Sequence, residues 1–83
     1  MRLSLTELKD NQKAKIISID LDSNLKQRLV SLGLENSKLI SVYLRSPLNN
    51  PNIYLVNNFK IVIRSEIAKK IVVEVSDEYS INR

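Results

Sequence analysis

The ten residues Leu25-Lys26-Gln27-Arg28-Leu29-Val30-Ser31-Leu32-Gly33-Leu34 constrain the fold more than any other stretch of this chain. Leu25, Leu29 and Leu32 recur at helical spacing and make one apolar stripe, while Lys26, Gln27 and Arg28 fall on the wet side. Gly33, the only glycine in 83 residues, stands where a helix ends in a left-handed residue, a conformation glycine enters without a Cβ penalty. Asn24 is placed to cap the start, with Gln27 three residues later in the capping-box position. The spacing therefore predicts a helix over about 24–32. Beyond Leu34 the apolar period falls from 3.6 to 2, so a single helix is set into an otherwise β chain.

The rest of the chain follows from that change of period. Leu5-Thr6-Glu7-Leu8 reads as a short helical turn whose two leucines pin the N-terminus to the core, and Asp10-Asn11 as a turn. Lys13 to Asp20 is a strand. A second strand runs from Lys38 to Arg45 with Ile40, Val42 and Leu44 on one face. Ser46 to Pro51 gathers the most helix- and strand-breaking residues and is the loop expected to move most. Ile53–Val56 and Phe59–Arg64 flank Asn57-Asn58 as a tight hairpin. Ser65 is read as the cap of a short helical turn at about 66–70, and Ile71–Val75 as the closing strand. Residues 1–75 thus make one domain with five strands, and residues 76–83, with little to bury, are expected to fray.

Three pieces in order, Ala14-Lys15-Ile16-Ile17-Ser18-Ile19, the Leu-x-x-x-Leu-x-x-Leu-Gly-Leu run ending at Leu34, and Arg64-Ser65-Glu66-Ile67-Ala68-Lys69-Lys70-Ile71, resemble the FeoA family over about residues 3–75. The resemblance implies a mainly β fold, a small five-stranded SH3-like barrel with one inserted helix. It also implies a cytoplasmic, non-catalytic accessory role in bacterial ferrous iron uptake. The partner so implied is the cytoplasmic portion of a FeoB-type ferrous iron transporter, which includes a guanine-nucleotide-binding domain. Where that family usually has turn glycines this chain has Asn11, Asn36, Asn50 and Asn58. Asparagine is the best non-glycine residue for positive φ, so turns are expected there.

Composition narrows the chemistry. Without cysteine or histidine the chain has no thiolate nucleophile, no imidazole base and neither of the usual zinc ligands. One glycine cannot make a phosphate-binding loop. Asp20 and Asp22 are better read as ending a strand and placing negative charge before the helix than as a catalytic pair. No catalytic residue, cofactor or metal ligand is expected. No apolar run approaches the roughly 20 residues that span a bilayer, so membrane insertion is not expected either.

The net charge is +4 and the pI near 9.6. The excess lies in residues 37–73, where Lys38, Arg45, Lys60, Arg64, Lys69 and Lys70 face Glu66 alone. Such a face is either solvated polar surface or a site for an acidic protein, anionic lipid or nucleic acid. By comparison with the family barrels, Tyr54, Val56, Phe59, Ile61 and Ile63 point inward. Ile53, Leu55 and Val62 then point outward and, with Tyr43, form an apolar strip. Either a terminal segment covers that strip, or it is a dimer or partner surface. Arg28, Leu32, Tyr43, Ile53, Leu55 and Val62 are the expected partner-binding residues. Two other functions stay open: a basic β-barrel that binds nucleic acid, and an SH3-like module that contacts an iron-dependent repressor. A homodimer, including one swapped through the Pro47–Pro51 loop, is also open.

Overall fold

A computed structural model describes residues 1–76. Six strands form one antiparallel sheet in the order β1-β6-β2-β3-β4-β5. These are β1 (Arg2–Ser4), β2 (Lys13–Ile19), β3 (Leu39–Leu44), β4 (Asn52–Val56), β5 (Phe59–Ile63) and β6 (Ile71–Val75). A 3-10 turn, Leu5–Glu7, follows β1; α1 (Ser23–Ser31) joins β2 to β3, and α2 (Ser65–Ala68) joins β5 to β6. One face of the sheet wraps a core of Leu5, Leu8, Ala14, Ile16, Leu34, Ile40, Tyr54, Val56, Ile71 and Val73, each 2% exposed or less. The alternation in β4 accounts for its share, with Asn52, Tyr54 and Val56 buried and Ile53 and Leu55 half-buried on the other side.

The sixth strand is the first departure from expectation. Three residues, Arg2–Ser4, pair with β6 in the register Arg2↔Glu74, Leu3↔Val73 and Ser4↔Val72. A three-residue segment carries no readable alternation, and its partner lies at the far end of the chain. Ser4 then caps the 3-10 turn: its Oγ accepts from Thr6 N–H while Glu7 accepts from Ser4 N–H, and Leu5 and Leu8 are buried as expected.

The helix α1 ends as the sequence requires. Gly33 has φ +104°; its N–H donates to Val30 C=O at 2.9 Å and Leu34 N–H to Leu29 C=O at 2.9 Å, the paired bonds of a Schellman motif. The start is different. Ser23 and Asn24 are already helical, and the cap is Asp22, whose carboxylate accepts from Leu25 N–H at 3.0 Å. The apolar stripe is also not a core face. No α1 residue is buried; Leu29 packs partly against the core, while Leu25 and Leu32 are exposed. The buried leucine is Leu34, one residue past the glycine, which the chain reversal turns inward.

Three further corrections concern turns and faces. In β3 the register shifts between Val42 and Leu44. This bulge turns Leu44 outward, although strict alternation with Ile40 places it inside. Phe59 has the parity of Ile61 and Ile63, yet it is 67% exposed, because it sits beside the hairpin turn, beyond the end of the core. Positive φ falls on Ser37, Asn49, Asn57 and Asn58. Of the four asparagines expected in turns, Asn11, Asn36 and Asn58 lie in them, but only Asn58 takes positive φ, while Ser37 and Asn49 take it beside Asn36 and Asn50. Two successive positive-φ residues at Asn57-Asn58 make the two-residue hairpin turn whose twist matches its strands.

The Ser46–Pro51 loop is tied down, contrary to the expectation of a loose segment. Buried Asn52 accepts from Ser46 N–H at 3.0 Å and donates to Asn49 Oδ1 at 3.0 Å, while Ser46 Oγ accepts from Asn50 N–H at 2.9 Å. Arg45 adds bonds to Asp10, Leu8 C=O and Asn49. Asn50 Oδ1 accepts from Ser65 N–H at 2.9 Å, so α2 is capped from this loop. Its own N-cap residue is Arg64 rather than Ser65 and makes no side-chain cap bond. Of the tail expected to fray, all but Ser76 lies outside the described residues.

Candidate protein-docking surface

The outward face of β3, β4 and β5 is built from the residues that alternation leaves over. Pairing sets Leu44 against Ile53 and Ile53 against Val62, giving one apolar row across three strands. The next outward row runs Lys13–Ser41–Leu55–Lys60 through the pairs of β2 with β3, β3 with β4 and β4 with β5. Tyr43, within the bulge, is half exposed, and the Lys60 ammonium lies 4.4 Å from its ring centroid. That cation–π contact contributes about 0.5–1 kcal/mol at an exposed site.

Two depressions mark the face. Leu44, Ser46, Pro51, Ile53 and Val62 line an apolar groove of about 260 Å³. A second recess of about 210 Å³ lies among Lys13, Leu39, Ser41, Leu55, Asn57 and Asn58. Ser41 has the outward parity of its row yet is only 6% exposed.

Four of the six sequence-predicted contact residues, Tyr43, Ile53, Leu55 and Val62, therefore share this face. Arg28 and Leu32 do not; both are exposed on α1. The end of α1 meets the β4–β5 turn at Gly33, where a Cβ would stand 3.7 Å from Asn57 Nδ2. Sequence reasoning missed Leu44 because nothing in the chain marks the bulge. It missed Lys60 because only the register puts that side chain beside Leu55. Among the described residues β1 pairs with β6 alone, at the far end of the strand order from β5.

The electrostatics of this half are one-sided. Between Glu35 and Glu66 there is no carboxylate, while Lys38, Arg45, Lys60 and Arg64 are all cationic. Asp10 reaches Arg45 from outside this stretch. Among the described residues no group of three or more Asp, Glu, His or Cys could hold a metal ion, and no helix is long and apolar enough to cross a membrane.

Fold and surface together define a small SH3-like barrel with an apolar, cationic outer face. The chain belongs to the FeoA family: the model of the FeoA domain matches residues 3–75. It is 37% identical over 71 residues to a protein of Campylobacter jejuni provisionally named Fe(2+) transport protein A, covering 83% of this chain and 93% of that one. It is 29% identical over 72 residues to an Fe(2+) transport protein A/FeoB fusion protein of Porphyromonas gingivalis, covering 87% of this chain but 8% of the fusion. Among solved structures it is similar to the zinc complex of Stenotrophomonas maltophilia FeoA, with a TM-score of 0.73 and 26% identity over 87% of this chain and 89% of that one. That protein is described as a procaryotic SH3 domain protein and is suggested to be a ferrous iron transport activating factor.

Proposed function

We propose that this chain is a non-catalytic accessory protein of ferrous iron uptake, acting in the cytoplasm by contact with a FeoB-type transporter. The observation that carries the reading is the Porphyromonas gingivalis fusion, in which a segment similar to this chain and a FeoB transporter form one polypeptide. Two proteins that work in contact gain effective concentration when joined, so fusion is a natural form of such a pair. The outer face supports it, because Tyr43, Leu44, Ile53, Leu55 and Val62 offer apolar area with cations alongside.

The test is capture of the soluble cytoplasmic domain of the FeoB-type transporter from the same cell by this chain, with and without guanine nucleotide. Retention that changes with nucleotide supports contact with the regulatory domain. Absence of retention in every nucleotide state, together with none by the full transporter in detergent, removes the proposal.

A further inference from the structure

The outer face ends at a sheet edge, and that edge has the chemistry of a strand-addition site. β5 is terminal in the strand order, so among the described residues no strand pairs with its far side. The hairpin geometry says which groups are left over. A two-residue turn makes Val56 and Phe59 the hydrogen-bonded pair that closes it, and bonded and non-bonded pairs then alternate. Phe59, Ile61 and Ile63 therefore bond back to β4, while the N–H and C=O groups of Lys60 and Val62 point away from the sheet.

Exposed edges are ordinarily blunted by a lysine, a proline, a bulge or a cover. Among the described residues no proline, bulge or covering strand guards β5 along Lys60 to Val62, and Lys60 is its one lysine. The Lys60 side chain is turned back over the sheet, its ammonium lying against Tyr43 two strands away. The register of β4 with β5 runs without a bulge, and Val62 is 63% exposed.

We propose that the free edge of β5 receives an extended segment of a partner protein in which one apolar residue has a carboxylate two positions before it and another two positions after it. The apolar residue opposite Val62 extends the row Leu44–Ile53–Val62 by one strand and lies against the groove those residues line with Pro51. Carboxylates two positions to either side share that residue's face, one over Arg64 and one over Lys60, whose ammonium swings from the Tyr43 ring to meet it; both cations are exposed and lie in a stretch that holds no acid of its own. Main-chain bonds supply the hold and the alternate side chains the selectivity. This assignment rests on the reading that the chain works through a protein partner, but it does not depend on which partner.

The experiment is amide hydrogen exchange on the ¹⁵N-labelled chain titrated with the blocked acidic peptide Thr-Glu-Thr-Val-Thr-Glu-Thr and, separately, with its basic counterpart Thr-Lys-Thr-Val-Thr-Lys-Thr. The expected result is at least tenfold slower exchange of the Lys60 and Val62 amides with the saturating acidic peptide and no change with the basic one. Val62→Pro removes one outward N–H at a position where an edge strand tolerates proline, and abolishes binding while core amides stay protected. Lys60→Glu, a surface change that leaves the backbone alone, weakens binding at least fivefold. No binding at millimolar peptide overturns the assignment, as does binding that leaves both amides fast or equal binding of the two peptides. Concentration-dependent protection without peptide would give the edge to a second copy and also overturns it. Protection by phosphatidylserine vesicles but not by peptide would give it to a membrane, with the same consequence. No transporter is present, so failed transporter capture with successful peptide protection removes the partner and keeps the edge, and the converse removes the edge alone.

Discussion

Gly33 is the position where one methyl group tests the most reasoning. A Cβ added there meets nothing closer than Asn57 Nδ2 at 3.7 Å, an ordinary van der Waals distance, so Gly33→Ala creates no clash. The cost is instead in the backbone, because φ is +104° and the Schellman bonds at Val30 and Leu29 hold it there. A left-handed conformation costs an L-residue about 1–2 kcal/mol. Alanine also restricts the unfolded chain, which returns about 0.4–1 kcal/mol. The net expectation is a loss of ~1 kcal/mol, or a fall in Tm of about 4–8 °C for a domain of this size. Urea unfolding followed by circular dichroism reads it, with an unchanged m-value showing that the native state is still compact. Gly33→Asn should lose clearly less, since asparagine is enriched at positive φ. An alanine variant as stable as the parent, or an asparagine variant as damaged as alanine, refutes the strain argument.

Four other outcomes follow from the same geometry. Leu34→Ala empties a fully buried site and should cost about 3 kcal/mol, whereas Leu32→Ala, two residues earlier and half exposed, should stay within about 0.5 kcal/mol by the same unfolding assay. Asn52→Ala leaves the Ser46 N–H without its acceptor and Asn49 Oδ1 with Arg45 as its remaining donor, and should destabilise by about 1–2 kcal/mol, read by thermal unfolding. Leu55→Glu should abolish transporter capture with native circular dichroism retained; an unfolded variant would instead assign Leu55 to the core. The chain should not be retained on poly(U) at low salt, because Tyr54 is buried and Tyr43 already carries its own Lys60, which leaves Phe59 as the single free stacking ring among the described residues. Retention falling steeply with salt would reverse that expectation.

The candidate surface was legible in part. Alternation in Asn52–Val56 and Phe59–Ile63, joined by Asn57-Asn58, is a local signal, and with the inward set taken from the resemblance to the family barrels it placed Ile53, Leu55 and Val62 outward. Tyr43 and Leu44 were harder. Their orientation depends on a bulge in β3, which is set by how β3 registers on β4 and not by anything in the residues themselves. Arg28 and Leu32 belong to a helix whose stripe reads as a core face, yet the sheet has room only for Leu29 and, past the turn, Leu34. The Ser46–Pro51 loop reads as loose because its residues break regular structure. What ties it is a set of side-chain bonds from Asn52, Arg45 and Asn50, whose partners only the fold identifies.

What this chain determines by itself is what short-range physics can encode. The single glycine ends the one long helix because only a residue without Cβ enters that φ freely. The Asn57-Asn58 turn forms because asparagine tolerates two successive positive-φ positions. The lack of histidine, cysteine and repeated glycine removes whole classes of chemistry outright. Tertiary structure decided the rest: that Arg2–Ser4 becomes a strand on β6, that Asn50 caps a helix fifteen residues away, and that the Lys60 ammonium lies over the Tyr43 ring two strands off. Each of those depends on groups distant in sequence meeting in one register, and register is a property of the whole sheet, chosen by which face can be buried.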